Sequence, residues 1–359
     1  MKKIKHLMIW IGLLLSLVSC KDTMEAIGLG GDEIPAEGLV LNLQLTNFTK
    51  QQIGTRAGAS ETFNSLCAVF YGDNNEYKGK TDCYSTLSPR QPDGSYKVKI
   101  TNVPAGAKNV HLVANASDMT DSEAQDLQSL TAAEKRDPQL DAPICWGKIS
   151  IDTLLEANPS VTMLRQCAKI SLEIDNSIQS NFTNAGLYVY NTATKAAIAP
   201  ANYIEPTTDD LAESTDLRTD NPLGGGTATT VAVNETSAGK AMVIIKANYK
   251  DSVGHAREGY YKVALYKDAN KTTQYALLRN HHYTIKVTKV NDYGFSTLEE
   301  AKKSLPENRV EVEVRDDNPE ITRMIACKDY ELGVSDYQEI NANTTEATVT
   351  DSIGESVPL

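Results

Sequence analysis

The sequence predicts an all-β protein with minor helices, built as two β-sandwiches in series. Apolar and polar residues alternate over many short stretches, and this period of two is typical of strands that bury one face. Clusters of Gly, Pro, Asp and Asn separate these stretches at close spacing, as they do in sandwiches. With 359 residues, 41% of them hydrophobic, the chain is long enough for one to three domains with apolar cores.

Residues 1–19 have the features of an export signal. Lys2, Lys3 and Lys5 precede an apolar stretch from Leu7 to Val18 that is too short to span a membrane stably. The stretch ends in Leu17-Val18-Ser19-Cys20, which resembles the bacterial lipobox, where a small residue precedes a cysteine that takes a diacylglycerol. We therefore predict a lipoprotein signal peptide and lipidation at Cys20.

Residues 20–38 are predicted to form a tether. The segment is rich in glycine and acidic residues and has few large side chains, a composition typical of solvated linkers. No other stretch approaches a membrane span, so attachment to the outer membrane would depend on the acyl chains, palmitate among them, at Cys20. The tether would let the rest of the chain stand off the membrane.

The next segment, 39–56, is predicted to be a removable first strand of the N-terminal sandwich. Four leucines alternate with other residues here and would plug one face into a core: Leu39, Leu41, Leu43 and Leu45. A polar run follows, and Arg56 lies between Thr55 and Ala57. A cut between Arg56 and Ala57 would separate the rest of the chain from both the anchor and this strand.

Residues 57–157 are predicted to complete the N-terminal sandwich. Its strands are bounded by turn signals such as Pro92-Asp93-Gly94, and one polar segment has leucines spaced for a helical face, with Thr120 or Asp121 as its cap. The predicted strands are Leu66–Tyr71, Ser95–Val103, Asn109–Asn115 and Lys148–Ile151, and the predicted helix lies within Asp118–Lys135.

Residues 158–314 are predicted to form the C-terminal sandwich, beginning near Asn158-Pro159. A long surface loop covers Pro200–Thr230, where three successive glycines lack the Lys-Ser/Thr of a phosphate-binding loop and instead predict a flexible turn. A capping box at Ser296–Glu299 predicts a short helix that ends at Ser304. The predicted strands are Val161–Ile174 with a bulge near Gln166, Leu187–Tyr190, Ala241–Tyr249, Tyr260–Tyr266, Tyr283–Val290 and Val310–Val314.

Composition argues against some classes of partner. Lys and Arg number 35 and Asp and Glu 47, a net charge of −12, and removing the three lysines of the signal leaves 32 against 47, or −15. Such a surface repels nucleic acid and anionic lipid headgroups. Beyond Cys20, five cysteines remain, an odd number that leaves at least one thiol unpaired or paired with another chain: Cys67, Cys83, Cys145, Cys167 and Cys327.

No catalytic, cofactor-binding or metal-binding residues are predicted, so the sequence does not indicate an enzyme. His281 and His282 are adjacent on a strand and would point to opposite sides, and no HExxH motif accompanies them. Asp73–Asn75 and Asp316–Asn318 lack the spacing of a calcium loop and predict turns. No Gly-x-Ser-x-Gly elbow or kinase motif is present.

Five features in order resemble the fimbrillin superfamily of Bacteroidota, whose members build type V pili. They are the lipobox, strand and Arg56, followed by LCAVFY, VHLVANAS, MLRQCAKISLEI and LLRNHHYTIKVTKV. The resemblance covers about Cys20 to Val314. Within the last stretch, Arg279 to Tyr283 is similar to the RNH-x-Y motif that precedes a late strand in this family.

The resemblance implies a mechanism and a location. It implies Greek-key, transthyretin-like sandwiches in a structural subunit of a cell-surface fimbrium that supports adhesion. An arginine-specific surface protease would cut between Arg56 and Ala57, the leucine strand would leave, and a strand of another fimbrial subunit would fill the groove. Residues 315–359 would then be either a donor strand, at Ile325–Val334 or less well at Ala347–Thr350, or the start of a truncated further domain.

Two alternatives remain open from the sequence. The protein could be a lipid-retained fimbrial anchor or tip, or a surface lipoprotein that binds glycans or proteins through its loops. In addition, four Asp-Ser/Thr-apolar triplets resemble acceptor sites for O-glycans on exported proteins of this bacterial group, with acceptors at Thr23, Thr153, Ser252 and Ser352.

Overall fold

The computed structural model describes residues 38–45, 62–92, 94–127, 138–200, 211, 213–268, 270–307 and 309–317, and the backbone of four short strands beyond them. The predicted signal peptide, Cys20 and most of the tether lie outside these residues. Within them the protein consists mostly of strands, which confirms the all-β prediction. No described helix is long and apolar enough to cross a membrane.

The N-terminal part forms one seven-stranded sheet. Its spatial order is β3-β2-β5-β6-β7-β1-β4, and every neighbouring pair is antiparallel except β1 and β7, which are parallel. The strands are β1 (Leu39–Leu45), β2 (Leu66–Tyr71), β3 (Tyr77–Asp82), β4 (Tyr96–Ile100), β5 (Asn109–Ala114), β6 (Cys145–Ser150) and β7 (Ser160–Arg165).

The centre of this sheet is buried on both faces. On β2, Leu66, Ala68 and Phe70 point to one face, while Val69 and Tyr71 point to the other, and all five are buried. The second face packs with Trp146 of β6 and with Ile198 and Ala199 from a loop. This explains why β2 reads as a nearly continuous apolar run rather than as a strict alternation.

The C-terminal part consists of two sheets around a shared core. A four-stranded sheet has the order β10-β8-β13-β14, and a three-stranded sheet has the order β12-β11-β9. Both contribute to one cluster of buried residues, including Ile170, Val233 and Ile285 from the first sheet and Val189 and Ile245 from the second. The strands are β8 (Cys167–Ile174), β9 (Phe182–Tyr190), β10 (Thr230–Asn234), β11 (Met242–Lys250), β12 (Ala256–Val263), β13 (His282–Val290) and β14 (Val310–Asp316).

The chain passes from one part to the other at Gln166. The predicted irregularity at this residue separates β7 from β8, so Ser160–Arg165 belongs to the seven-stranded sheet and the second part begins at Cys167. The predicted starting point, Asn158-Pro159, is instead the turn that leads into β7. The division into two independently folding domains stays a prediction.

In the part of the chain that the structure describes, three short α-helices flank the sheets: α1 (Asp121–Gln125), α2 (Ile151–Leu154) and α3 (Leu298–Lys303). Thr120 caps α1 in a capping box with Glu123, which confirms one of the two predicted caps. For α3 the predicted register was wrong by one residue, because Thr297 and Glu300, not Ser296 and Glu299, form the capping box. α2 was not predicted from the sequence, and Ser150 caps it.

Between residues 38 and 317, two described strands were missed, β3 and β10. β3 carries two lysines and a glycine, and its first five residues are only half-buried, so no apolar alternation marks it. β10 begins at the last residue of the predicted surface loop, and four of its five residues are buried. The turn predicted at Gly224–Gly226 is confirmed, since all three glycines have positive φ.

The C-terminal extension contains two hairpins. β15 (Ile321–Ala326) pairs antiparallel with β16 (Glu331–Ser335), and β17 (Thr348–Thr350) with β18 (Ser356–Pro358). The donor stretch suggested at Ile325–Val334 is therefore divided between two strands. The weaker candidate, Ala347–Thr350, includes β17.

Candidate functional site

The candidate site is the place that β1 occupies between β4 and β7. Leu39, Leu41 and Leu43 lie opposite Ile100, Val98 and Tyr96 of the antiparallel neighbour β4. On the other side, Leu43 and Leu45 lie opposite Val161 and Met163 of the parallel neighbour β7. Of the described strands, β1 is the only one that pairs with β4. Backbone pairing thus joins β4 to the sheet through β1.

The leucines of β1 follow the predicted alternation. Leu39, Leu41 and Leu43 are 6%, 1% and 0% exposed, whereas Val40 on the opposite face is 55% exposed. Leu45, the fourth predicted plug residue, is only half-buried. Complete burial of a leucine contributes about 1.5–3 kcal/mol, so the first three leucines supply most of the apolar contribution of this strand.

The start of β1 is fixed by backbone geometry. Gly38 has φ +88°, and a Cβ at this position would lie 2.5 Å from the Ile100 carbonyl oxygen, so a larger residue would collide with β4. Further along, the Asn42 N–H donates to the Pro159 carbonyl at 2.9 Å, just before β7. Arg56 and Ala57, the predicted cleavage residues, lie outside the described residues.

Below β1, the strands β6 and β7 approach closely at Gly147. A Cβ on Gly147 would lie 2.5 Å from Val161 Cγ1 and 2.8 Å from Met163 Sδ. Both β7 side chains therefore occupy the space that a larger residue would take. Val161 and Met163 also lie opposite Leu43 and Leu45. The close packing of β7 on Gly147 therefore holds the two side chains beside which β1 lies.

The RNHHY stretch lies at the connection between the two parts of the protein. Arg279 is 1% exposed and donates to the carbonyl oxygens of Ile198 at 2.8 Å and Ala197 at 3.0 Å, as well as to Glu235 Oε2 at 2.5 Å. No local sequence pattern indicates these partners, because they lie 44 to 82 residues away from Arg279. Arg279 therefore connects the second part of the protein to the loop that carries Ala197 and Ile198, which packs on the first sheet.

The next residue, Asn280, completes this connection. It has φ +61°, a conformation that asparagine tolerates better than most residues. Its Oδ1 accepts from Arg165 Nη1 at 3.0 Å, and its N–H donates to the Cys167 carbonyl at 2.9 Å. Asn280 thus holds the chain on both sides of Gln166, where it passes between the parts.

The two histidines of this stretch have separate partners. His281 Nδ1 lies 2.8 Å from Asp316 Oδ2, whereas His282 Nε2 lies 2.9 Å from Ser171 Oγ. Burial lowers the pKa of His282 to about 4, so this ring is neutral at neutral pH. Among the described residues, no group of three or more His, Cys, Asp or Glu side chains is arranged to hold a metal ion.

The described cysteines have buried or partly buried thiols, which disfavours the reactive thiolate form. Burial raises the pKa of the Cys67 thiol to about 11 and that of Cys83 to about 12, so both stay protonated at neutral pH. Cys145 and Cys167 are also buried, and the side chain of Cys327 lies outside the described residues. These thiols pack as small apolar side chains.

Two of the four predicted glycosylation acceptors are described. Thr153 lies on α2 and Ser252 in a turn, and both are exposed. The turn is well defined, because Asp251 Oδ1 accepts from the N–H groups of Val253, Gly254 and His255 at 2.8–2.9 Å. Thr23 and Ser352 lie outside the described residues.

The chain is similar in sequence to the major fimbrium tip subunit FimE of Porphyromonas gingivalis. The two are 24% identical over 230 residues, which cover 56% of this chain and 40% of the relative. This similarity supports the resemblance to the fimbrillin superfamily of Bacteroidota. The chain spans less than half of the length of this relative. No protein-family model matches the chain.

The chain is also similar to solved structures of fimbrial proteins. One is the tip fimbrial protein Mfa3 of Porphyromonas gingivalis with C-terminal truncation, with 14% identity, a TM-score of 0.42, and coverage of 77% of this chain and 98% of that one. The other is a fimbrial assembly protein of Parabacteroides distasonis, with 15% identity, a TM-score of 0.45, and coverage of 78% and 96%.

Proposed function

We propose that the protein is a structural subunit of a cell-surface fimbrium and supports adhesion. One observation carries this proposal: the first described strand lies between two others, with three of its leucines buried. Such a strand can be exchanged for an equivalent strand of another chain. The sequence similarity to a fimbrial tip subunit supports the same function.

In the proposed mechanism, the chain is exported as a lipoprotein and held on the outer membrane through Cys20. An arginine-specific surface protease cuts after Arg56, so that Ala57 becomes the new N-terminus and residues 39–56 can leave. Because β1 is antiparallel to β4 and parallel to β7, a replacing strand must run in the same direction to satisfy both edges. Its alternating side chains would fix the register in place of the leucines.

Cleavage after Arg56 is tested most directly with Arg56→Lys. This substitution keeps the positive charge but removes the residue that an arginine-specific protease recognises. We expect the wild-type full chain to yield a new N-terminus at Ala57 and SDS-resistant ladders, while Arg56→Lys stays uncut and monomeric. The measurements are N-terminal sequencing and gel sizing after protease treatment. Ladders of equal extent in both proteins would refute cleavage at this bond as the trigger of assembly.

Lipidation at Cys20 predicts a processing defect in Cys20→Ala. Without the thiol, no diacylglycerol can be attached, so we expect unprocessed precursor to accumulate with no labelled fatty acid on it. Metabolic labelling and the mass of the protein measure both effects, with Cys67→Ala as the matched control that retains the label. Label on the Cys20→Ala protein would contradict this assignment.

A second role, as a lipid-retained tip or anchor, is favoured by one observation: the relative is named a tip subunit. A glycan- or protein-binding surface lipoprotein belongs to the same alternative. A tip or anchor need not polymerise, so ready cleavage at Arg56 without ladders would favour this role over a stalk subunit. If Arg56 resists the protease in the folded protein, strand exchange is excluded.

The seven-stranded part and the two-sheet part would be the two domains, with their boundary at Gln166 in place of the predicted 157/158. Residues 315–359 would be a donor strand or part of a further domain. Exposed Thr153 and Ser252, together with Thr23 and Ser352, would carry O-glycans. An intact mass of surface-derived protein that equals the bare lipidated chain would dismiss the glycans.

A further inference from the structure

A cleft of about 510 Å³ lies beside α3 and the edge of the three-stranded sheet. This volume falls within the range of about 300–1,000 Å³ that is typical of small-ligand sites. The lining residues include three cations and one carboxylate, a local charge of +2 in a chain of net charge −12. They are Arg257, Gly294, Phe295, Ser296, Glu300, Lys303, Ser304 and Arg309.

Much of the positive charge in the cleft is not neutralised by nearby carboxylates. Arg257 and Lys303 are exposed, and neither forms an ion pair within the described residues. Arg257 Nη2 donates to the Gly294 carbonyl at 2.9 Å, and its guanidinium lies 4.9 Å from the centre of the Tyr293 ring, so its contacts supply no carboxylate. Arg309 has one carboxylate partner among the described residues, Asp292, whose Oδ2 lies 3.4 Å from Nη1 at the surface.

The carboxylates around the cleft are already occupied. Glu300 Oε2 accepts from the N–H groups of Ser296 at 3.1 Å and Thr297 at 3.2 Å, as part of the helix cap. Glu299 pairs with Lys302 at 2.8 Å, and on β12 Glu258 pairs with Lys246 at 3.1 Å. Among the described residues, Arg257 and Lys303 therefore have no carboxylate partner and Arg309 has only the 3.4 Å contact with Asp292, so an anion from solution can approach all three cations.

The walls of the cleft are held in place by the backbone. Tyr260 and Phe295 exchange two backbone hydrogen bonds, at 2.9 and 3.0 Å. A Cβ on Gly294 would lie 2.5 Å from Tyr260 N, so this segment lies directly against β12. The Arg309 guanidinium is fixed 4.2 Å above the Phe295 ring and donates to the Tyr293 carbonyl. A site built in this way needs little ordering when a ligand binds.

We propose that this cleft binds the carboxylate or sulfate group of an acidic saccharide. Arginine guanidinium groups pair with such planar or tetrahedral anions through two hydrogen bonds. The hydroxyls of Ser296 and Ser304 line the rest of the cleft and match sugar hydroxyls. Only Phe295 offers an apolar surface, and Arg309 covers it, so an apolar anion or a hydrophobic peptide would gain little here. This binding does not depend on strand exchange.

The test is a titration of the full chain in mild detergent with uronic-acid and sulfated tetrasaccharides, and with a neutral tetrasaccharide as the ligand control. We expect the acidic sugars to bind and the neutral one not to bind. Arg257→Gln and Lys303→Gln should each weaken binding about tenfold or more, as expected for hydrogen bonds to charged groups. Binding should also weaken in about 0.5 M salt.

The matched control is Lys289→Gln, which removes an exposed lysine that pairs with Glu311 outside the cleft. It should bind the acidic sugars as the wild type does. Equal binding by the Arg257 and Lys303 variants, equal binding of the neutral sugar, or displacement by inorganic phosphate or a phosphopeptide at lower concentration than by the sugar would each overturn the assignment. Unfolding curves of the variants exclude a loss caused by misfolding.

Discussion

Leu43→Asp is expected to destabilise the full chain by about 2.5–6 kcal/mol. Leu43 is completely buried between Tyr96 of β4 and Val161 of β7. The substitution removes about 1.5–3 kcal/mol of stabilisation from apolar burial. It also buries a carboxyl group without a hydrogen-bond partner, which costs about 1–3 kcal/mol more. Since domains of this kind have total stabilities of about 5–15 kcal/mol, the loss is a large fraction.

Urea unfolding followed by tryptophan fluorescence measures this effect in the first sheet. The chain has two tryptophans, and once the signal peptide is removed only Trp146 remains, buried on β6. Val40→Asp is the matched control, because it places the same side chain on the exposed face of the same strand. We expect it to change stability by no more than about 0.5 kcal/mol. Equal losses in both variants would show that β1 does not contribute its leucine face to the core.

The stability that the buried face of β1 contributes also determines how readily the strand can be exchanged. After a cut at Arg56, β1 would be held only by its contacts, and a strand of a neighbouring subunit at high effective concentration could compete for its place. Burial of Leu39, Leu41 and Leu43 sets the stability that the replacing strand must match. The half-buried Leu45 contributes less, so the N-terminal part of β1 is the stronger half of the plug.

The correctly predicted strands are those in which the pattern of apolar residues alone shows which faces are buried. β1 alternates because one face is buried, and β2 is uniformly apolar because both faces are buried, so each pattern can be read without knowledge of the neighbours. β3 was missed for the opposite reason. Its lysines and glycine are accommodated only because β3 lies at the edge of the sheet, and an edge position is decided by the whole topology.

The candidate site was predicted only in part for a similar physical reason. The alternation of leucines identifies the buried face of β1, but the sequence does not say that β4 and β7 are its neighbours. Likewise, Asn158-Pro159 is a strong local breaker, yet the passage between the two parts lies at Gln166 because Arg165 and Cys167 are held by the distant Asn280. The cationic cleft joins residues separated by about 50 positions, so no local pattern indicates it.

At the connection between the two parts, Arg279→Met is expected to destabilise the protein by about 3–5 kcal/mol. Removing one partner of a buried ion pair leaves the other without compensation. Here Glu235, whose side chain is 12% exposed, would lose its partner, and the carbonyl groups of Ala197 and Ile198 would lose their donors. Methionine fills similar volume, so the effect would come from lost hydrogen bonds rather than from a cavity.

The control is Lys240→Met, which removes an exposed ion pair with Glu213, and we expect it to cost about 0–1 kcal/mol. A second comparison separates charge from geometry. Arg279→Lys keeps the charge beside Glu235 but cannot reach both carbonyl groups with one ammonium, so its stability should lie between those of the wild type and Arg279→Met. If Arg279→Met unfolds at the same urea concentration as Lys240→Met, the buried arginine does not stabilise the connection. Because Ile198 packs in the same cluster as Trp146, the loss should appear in tryptophan fluorescence of the first sheet, although Arg279 itself lies in the second part.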